Sequence, residues 1–476
     1  MKKKDMIRCF GVFICCLLLF VLPVQPALAN SAQTIWSGVT STGVIVEDEN
    51  CPLVVEKEIL TFDIPQFPEN YYQSIEEFIE YSATVTAEYT FYNPSNYTVT
   101  ATLAFPFGNM PDYGMILDRE GERWAHETLE HTRQYGVQVN GESIESVLRH
   151  TYADPFGDFD LERDIPKLRD SYAKDPFFTP EMTVTEYVYE VTGLSADEGY
   201  AAFCVREDEN TRRVYPDEFN GFDRDGDQLT YGCWIESGAE LTVTVVGEPF
   251  LEELSWKIYE NGAREMELAG TVTLSATKTT TFLDYALGEY KQGSGILESD
   301  WYNAFVDERN SNGYLENGME LSYNLMRWYE YEITLAPGER ITNAVTAPIY
   351  PRINGQYEPP VYEYIYLLSP AQTWSEFGSL DIVINTPYHL ISDNQQKFEK
   401  TETGYRMLRE GLPEGELKFS LSSEEKPKKE TPNYLLYLLM VLPYFVALAV
   451  PLVGLVLLGA WIIRLVKKHI IKKEKS

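Results

Sequence analysis

From Ala83 to Tyr92 the chain alternates without a break, with Ala83, Val85, Ala87, Tyr89 and Phe91 on one side and Thr84, Thr86, Glu88, Thr90 and Tyr92 on the other. Successive side chains of an extended backbone point to opposite faces, so such a run buries one face and wets the other. A helix, with its period of 3.6, does not satisfy it. After Asn93-Pro94-Ser95-Asn96 the pattern resumes, and Tyr97, Val99, Ala101, Leu103 and Phe105 alternate mostly with threonines. Two matched runs around a turn sequence predict an antiparallel hairpin.

The same signal recurs along the chain. Leu241 to Val246, Thr271 to Thr281, Tyr329 to Leu335, Val361 to Leu368 and Leu380 to Asn385 read as further strands, and Leu417, Phe419 and Leu421 as the last one. Asn-Gly dipeptides begin at Asn140, Asn220, Asn261, Asn312, Asn317 and Asn354. Asn and Gly both accept the positive φ of tight hairpin turns. Helix signals are few: Gln73 to Tyr81, with Ile75, Phe78 and Ile79 on one face, and Ile296 to Arg309. The expected class is mainly β, with two β-sandwich-like modules. Gly288 to Ser299 interrupts the strand pattern. The expected division is a β-rich module at 30–287, a linker or short helix at 288–316 and a second sandwich at 317–421.

The ends place this β-rich segment. Lys2, Lys3, Lys4 and Arg8 precede an uncharged apolar run from Phe10 to Leu22, and Ala27-Leu28-Ala29 supplies a small-residue cleavage site. That order predicts a secretory signal over 1–29. Tyr434 to Ile463 is free of charge, long enough for one membrane crossing and too short for two. Arg464, Lys467, Lys468, Lys472, Lys473 and Lys475 follow it. The positive-inside rule then predicts a single pass over 434–463, an extracytoplasmic N-terminus and a cytoplasmic tail at 464–476, with a stalk at 422–433. The two terminal segments hold ten of the 39 bases and two of the 73 acids, so the segment between them carries 29 bases against 71 acids. Such a balance argues against nucleic acid, whose binders need a basic face.

Cys9, Cys15 and Cys16 leave with the signal, and Cys51, Cys204 and Cys233 remain. After export thiols oxidise, and a Cys204–Cys233 bridge is expected, with Cys51 left over. Asp223-Arg224-Asp225-Gly226-Asp227 spaces carboxylates at positions 1, 3 and 5, as calcium loops do. Asp223, Asp225 and Asp227 are therefore the candidate calcium ligands. Against them, the Glu of position 12 is replaced by Trp234, and Asp225-Gly226 alone makes a good turn. Asp154, Asp158, Asp160 and Asp164 form a second acidic loop. His126 and His131 are five apart, not the four that places two zinc ligands on one helical face. There is no Gly-x-Ser-x-Gly. Trp301, Trp328 and Trp374 suit either sugar stacking or a core, and in a β protein the core is the commoner fate.

The run from Tyr81 to Phe107, closing on Phe105-Pro106-Phe107 and followed by Val137-Gln138-Val139-Asn140-Gly141, resembles the opening of VIT-type β-sandwiches. It also resembles secreted, membrane-anchored families of Gram-positive bacteria, as do Tyr366 to Trp374 and Ile382-Val383-Ile384. The resemblance implies a fold and transfers no functional residue. The expected function is a single-pass, membrane-anchored extracytoplasmic protein with a binding or assembly role at the cell surface and an envelope protein as partner. The alternative is an extracellular hydrolase of envelope polymer with unlocated carboxylates.

Overall fold

A computed structural model describes residues 41–42, 45–46, 51–68, 83–108, 136–154, 159–206, 210–217, 219–312 without 291, 293 and 294, and 321–429 without 396. The signal at 1–29, the crossing at 434–463, the tail at 464–476, the helix at 73–81 and the pair His126 and His131 lie outside the described residues. Among the described residues no helix is long and apolar enough to cross a membrane.

The protein is mainly β, as its alternation requires, with strands arranged in several sheets. The largest sheet has eight strands. Its order is Glu399–Lys400, Gly404–Glu410, Phe377–Asn385, Val54–Asp63, Ala83–Tyr92, Arg340–Ile349, Gly136–Val139 and Glu142–Ile144. Every pairing is antiparallel except Phe377–Asn385 with Val54–Asp63. Two smaller sheets contribute to the core it covers. One carries Val99–Gly108, Leu325–Leu335 and Val147–Tyr152, and the other Val361–Leu367, Leu417–Ser422 and His389–Asp393. Ser41–Thr42 pairs with Tyr366 and Leu367 of the second of these, and Ile45–Val46 with Ala104 and Leu103 of the first. The shared core runs from Leu53 to Leu421 in sequence and draws on all three sheets, with Leu417, Phe419 and Leu421 fully or almost fully buried.

The run expected to form a hairpin does not. Ala83–Tyr92 pairs with Val54–Asp63 and Arg340–Ile349, whereas Val99–Gly108 pairs with Leu325–Leu335 in a different sheet. Asn93 to Thr98 is therefore a corner between two layers. Alternation fixes which face is buried, and two such strands satisfy it equally well side by side or facing each other across a core. Asn93 holds this corner and is fully buried. Its Nδ2 donates to the carbonyls of Tyr97, Leu335 and Ala336 at 2.9–3.2 Å, and its Oδ1 accepts from the Ser95 amide and hydroxyl. Asn93→Ala should cost roughly 3 kcal/mol in urea unfolding, since it orphans buried carbonyls as well as losing bonds. A loss under about 1 kcal/mol would mean the corner holds without it. The Asn140-Gly141 turn is as expected, with φ of 52° and 81° joining Gly136–Val139 to Glu142–Ile144.

A second, smaller sandwich is inserted into the first. Its sheets are Arg212–Pro216, Glu240–Gly247, Thr183–Thr192, Thr271–Thr281, and Gly221–Asp225, Gln228–Glu236, Glu198–Arg206, Trp256–Tyr259. Tyr189, Val191, Phe203, Tyr231, Val243 and Val245 fill the space between them. The expected boundary at 288–316 does not separate the sheets, because strands from both sides of it pair with each other. The helix expected there is present as Glu298–Asn312, with Glu298 and Asp300 in its first turn. Trp301, Tyr302, Ala304 and Val306 are buried along it. The stalk is partly folded: Ser422 is buried in the last strand of the large sandwich, and Lys428–Lys429 pairs with Tyr357–Glu358.

Candidate functional site: a charged junction and its cleft

Val147–Tyr152 of the large sandwich, whose last four residues are all buried, meets the helix Glu298–Asn312, and Tyr302 and Val306 of that helix pack on Val184, Tyr215 and Val246 of the inserted sandwich. Register explains how both faces are filled. Arg149 lies opposite Trp328 and His150 opposite Arg327, so the two basic residues take opposite faces. His150, with Arg327 and Tyr329, faces the core of the large sandwich. Arg149 faces outward with Trp328 and Glu330, beneath the helix Glu298–Asn312 and the segment around Arg169.

Arg149 uses all five of its N–H groups. Nε reaches both oxygens of Asp300 at 3.1–3.2 Å, and Nη2 adds Asp300 Oδ1 at 3.1 Å and the Arg169 carbonyl at 2.8 Å. Nη1 meets Glu330 at 2.6 Å and Asp170 at 3.2 Å. The His150 amide donates to Asp300 as well, at 2.9 Å. Arg149 and Asp300 are each 2 % exposed and Asp170 96 %, so the Arg149–Asp300 pair holds the inserted helix to the large sandwich, while Asp170 contributes little. Burial lifts the Asp300 carboxyl above its ordinary range, and the hydrogen bonds from Arg149 pull it back. Burial also works against the charge of Arg149, yet its three carboxylates hold it above its ordinary value.

Two buried groups, one beside this framework and one within the large sandwich, are less well served. Neither ring nitrogen of His150 has a hydrogen-bond partner, and burial, with Arg327 and Arg149 nearby, lowers its pKa to about 3. Glu58 lies inside the large sandwich opposite Tyr89 and Leu380. Burial raises its pKa to about 8 despite the neighbouring Tyr89 hydroxyl.

Beside the junction a cleft of about 450 Å³ is lined by Arg169, Tyr172, Lys174, Asp175 and Asp307, among others. Arg169 approaches Asp307 Oδ1 at 3.4–3.5 Å, and Asp307 Oδ2 is buried without a partner. Burial raises the Asp307 pKa, with Arg169 and Lys167 opposing. Asp175 is committed to its own loop, accepting from the Phe177 and Phe178 amides and from Asn310. Lys174 is exposed at the mouth. The cleft can hold a polar group, and both Asp175 and Asp307 line it, Asp175 adding to the upward push on the Asp307 carboxyl.

The residues singled out in the sequence fall elsewhere. Cys204 and Cys233 do not form the expected bridge. Cys233 is buried opposite Ala201, while Cys204, three residues further along that strand, is exposed opposite Thr230. An odd offset puts the two on opposite faces of the sheet. Asp223, Asp225 and Asp227, the candidate calcium ligands, lie on a hairpin: Asp225 pairs with Gln228 across Gly226-Asp227, and Gly226 has φ 63°. Asp223 is taken by Arg264 at 2.7 Å and Asp227 by Arg206 at 2.9 Å. Among the described residues no group of three or more His, Cys, Asp or Glu could hold a metal ion. Asp164, of the second acidic loop, pairs with Arg163 and Lys167. Trp301, Trp328 and Trp374 are buried. The sequence drew no attention to Arg149 or Asp300, although a basic pair at the centre of Val147 to Tyr152 is a signal of a kind, since a strand carries charge inward only toward a counter-charge.

No protein-family model matches the sequence, and no curated protein matches it. Among solved structures, a Legionella pneumophila protein described provisionally as nutrient binding aligns over 81 % of this chain and 71 % of its own. The identity is 9 % and the TM-score 0.32, so the likeness supports neither a fold assignment nor a function.

Proposed function

We propose that the chain is a single-pass, membrane-anchored extracytoplasmic protein whose joined sandwiches serve a binding or assembly role at the cell surface, with an envelope protein as partner. The observation that carries this reading is the commitment of the junction's charges. Asp300, Glu330 and Asp170 all turn to one guanidinium, an arrangement that holds two units together. Hydrolysis of a glycan would need two carboxylates facing the substrate's bond, and the two that line the cleft are engaged, Asp307 with Arg169 and Asp175 with its own loop.

Cys204 gives a direct test of placement. It is exposed on the inserted sandwich, whereas Cys233 is buried. A membrane-impermeant maleimide should label the protein on intact cells, and Cys204→Ser should lose most of the label. Labelling only after lysis would overturn the placement. For the binding role, a photoreactive residue at Lys174 should give a discrete crosslinked product on intact cells, and one at exposed Tyr97 should not. No product from Lys174 would count against the cleft.

A further inference from the structure

The outer face of one sheet of the inserted sandwich carries a feature that the cleft does not explain. Phe203, Tyr231, Cys233 and Ile235 point into the core, so Tyr200, Trp234, Glu198 and Glu236 share the opposite face. Tyr200 lies flat across the sheet. A Cβ at Gly232 would meet its ring at 2.4 Å, and one at Gly221 would overlap its hydroxyl. The Tyr259-to-Glu267 loop closes over it, latched by Arg264 to Asp223 at 2.7 Å. Trp234 stands edge-on against this fixed tyrosine, with centroids 5.5 Å apart, and is 50 % exposed. Directly beside it, Glu198 and Glu236 face each other across the ladder, both exposed.

Like charges directly opposite in a sheet cost stability. Elsewhere on this face Asp223 is paired with Arg264 and Lys257 with Glu267 at 2.5 Å. Among the described residues Glu198 and Glu236 have no ion-pair partner. We propose that this shelf docks an extended basic segment of a partner protein, with an arginine or lysine side chain lying over Trp234 and pairing with Glu198 and Glu236. A cation over an indole face gains electrostatic energy. The two carboxylates supply a counter-charge, and the chain's formal charge of −34 steers a basic partner inward. The glycine-seated Tyr200 keeps the shelf rigid, so little ordering is needed on binding. The inference takes only the partner's location from the proposed surface role, and its assay uses purified protein, so failure here leaves the labelling test untouched.

The test uses the full chain in detergent, labelled with 5-fluorotryptophan, with the Trp234 resonance assigned by Trp234→Phe. The probe is a ten-residue peptide alternating Arg and Ser, compared with its neutral citrulline counterpart. At physiological salt the arginine peptide should move the Trp234 signal saturably, and the citrulline peptide should not. Trp234→Ala and the double variant Glu198→Gln/Glu236→Gln, both read from the fluorescence anisotropy of a dye-tagged arginine peptide, should each weaken binding at least tenfold. The double variant should melt no lower than the parent, because it relieves repulsion. Undiminished binding by the double variant would reduce the effect to the chain's overall charge and overturn the proposal. A saturable shift with cellohexaose would also overturn it, reassigning the shelf to a neutral glycan.

Discussion

Arg149→Met should destabilise the protein by roughly 3–5 kcal/mol, the usual cost of removing one partner from a buried ion pair. The loss comes from what is left behind. Asp300 is 2 % exposed and takes most of its hydrogen bonds from that guanidinium. Arg149→Lys should recover only part of it, because an ammonium cannot present the planar fork that reaches Asp300 through Nε and Nη2 and Glu330 through Nη1. Arg149→Met with Asp300→Leu should be closer to the parent than Arg149→Met alone, since the Asp300 charge is then no longer buried without a partner and only the more exposed Glu330 loses its cation. Urea unfolding of the three variants checks this. If the single and double replacements cost the same, the pair is not what joins the inserted helix to the large sandwich.

Glu58 should lower stability as pH rises through neutrality, contributing up to about 5 kcal/mol between pH 4.5 and 8, of which His150 offsets part below pH 6.5. Glu58 releases its proton near 4.5 when the chain is unfolded, but only at about 8 in the folded protein. Between those values the folded state binds the extra proton, and stability declines with pH. His150 has the opposite sign. Its pKa is lowered from 6.5 to about 3 on folding, so the unfolded chain binds the extra proton over that window and stability declines as pH falls below 6.5. Glu58→Gln should flatten the alkaline side of the profile and raise stability at pH 9, leaving the acid side unchanged. A Glu58→Gln profile parallel to the parent's from pH 5 to 9 would show that Glu58 is not the titrating group.

Neither group could be recognised in the sequence. Glu58 sits in Val54 to Asp63, where Val55, Leu60 and Phe62 are buried and a bulge between Val55 and Lys57 shifts the phase. Without that bulge Glu58 falls on the same side as Leu60 and Phe62 but Val55 does not, so the strand reads as ambiguous. His150 looks solitary because its neighbours, Arg327 and Tyr329, are far away along the chain and reach it only through strand pairing. The Cys204–Cys233 expectation failed for a related reason. Separation along the chain says nothing of register, and register decides whether two side chains share a face.

The strands themselves follow from the chain alone. Ala83 to Tyr92 is buried and wetted in alternation, as its residues require, and Leu417, Phe419 and Leu421 complete a core. The Asn140-Gly141 and Gly226-Asp227 turns, and the helix at Glu298–Asn312, are likewise local in origin. These features are set by side-chain period and backbone preference over a few residues. Tertiary structure alone decided that Asn93 turns a corner between layers, that a complete sandwich interrupts another, and that Arg149 meets Asp300 from 151 residues away. Each of these depends on which buried faces and charges come together, and a period of two names the face without naming its partner.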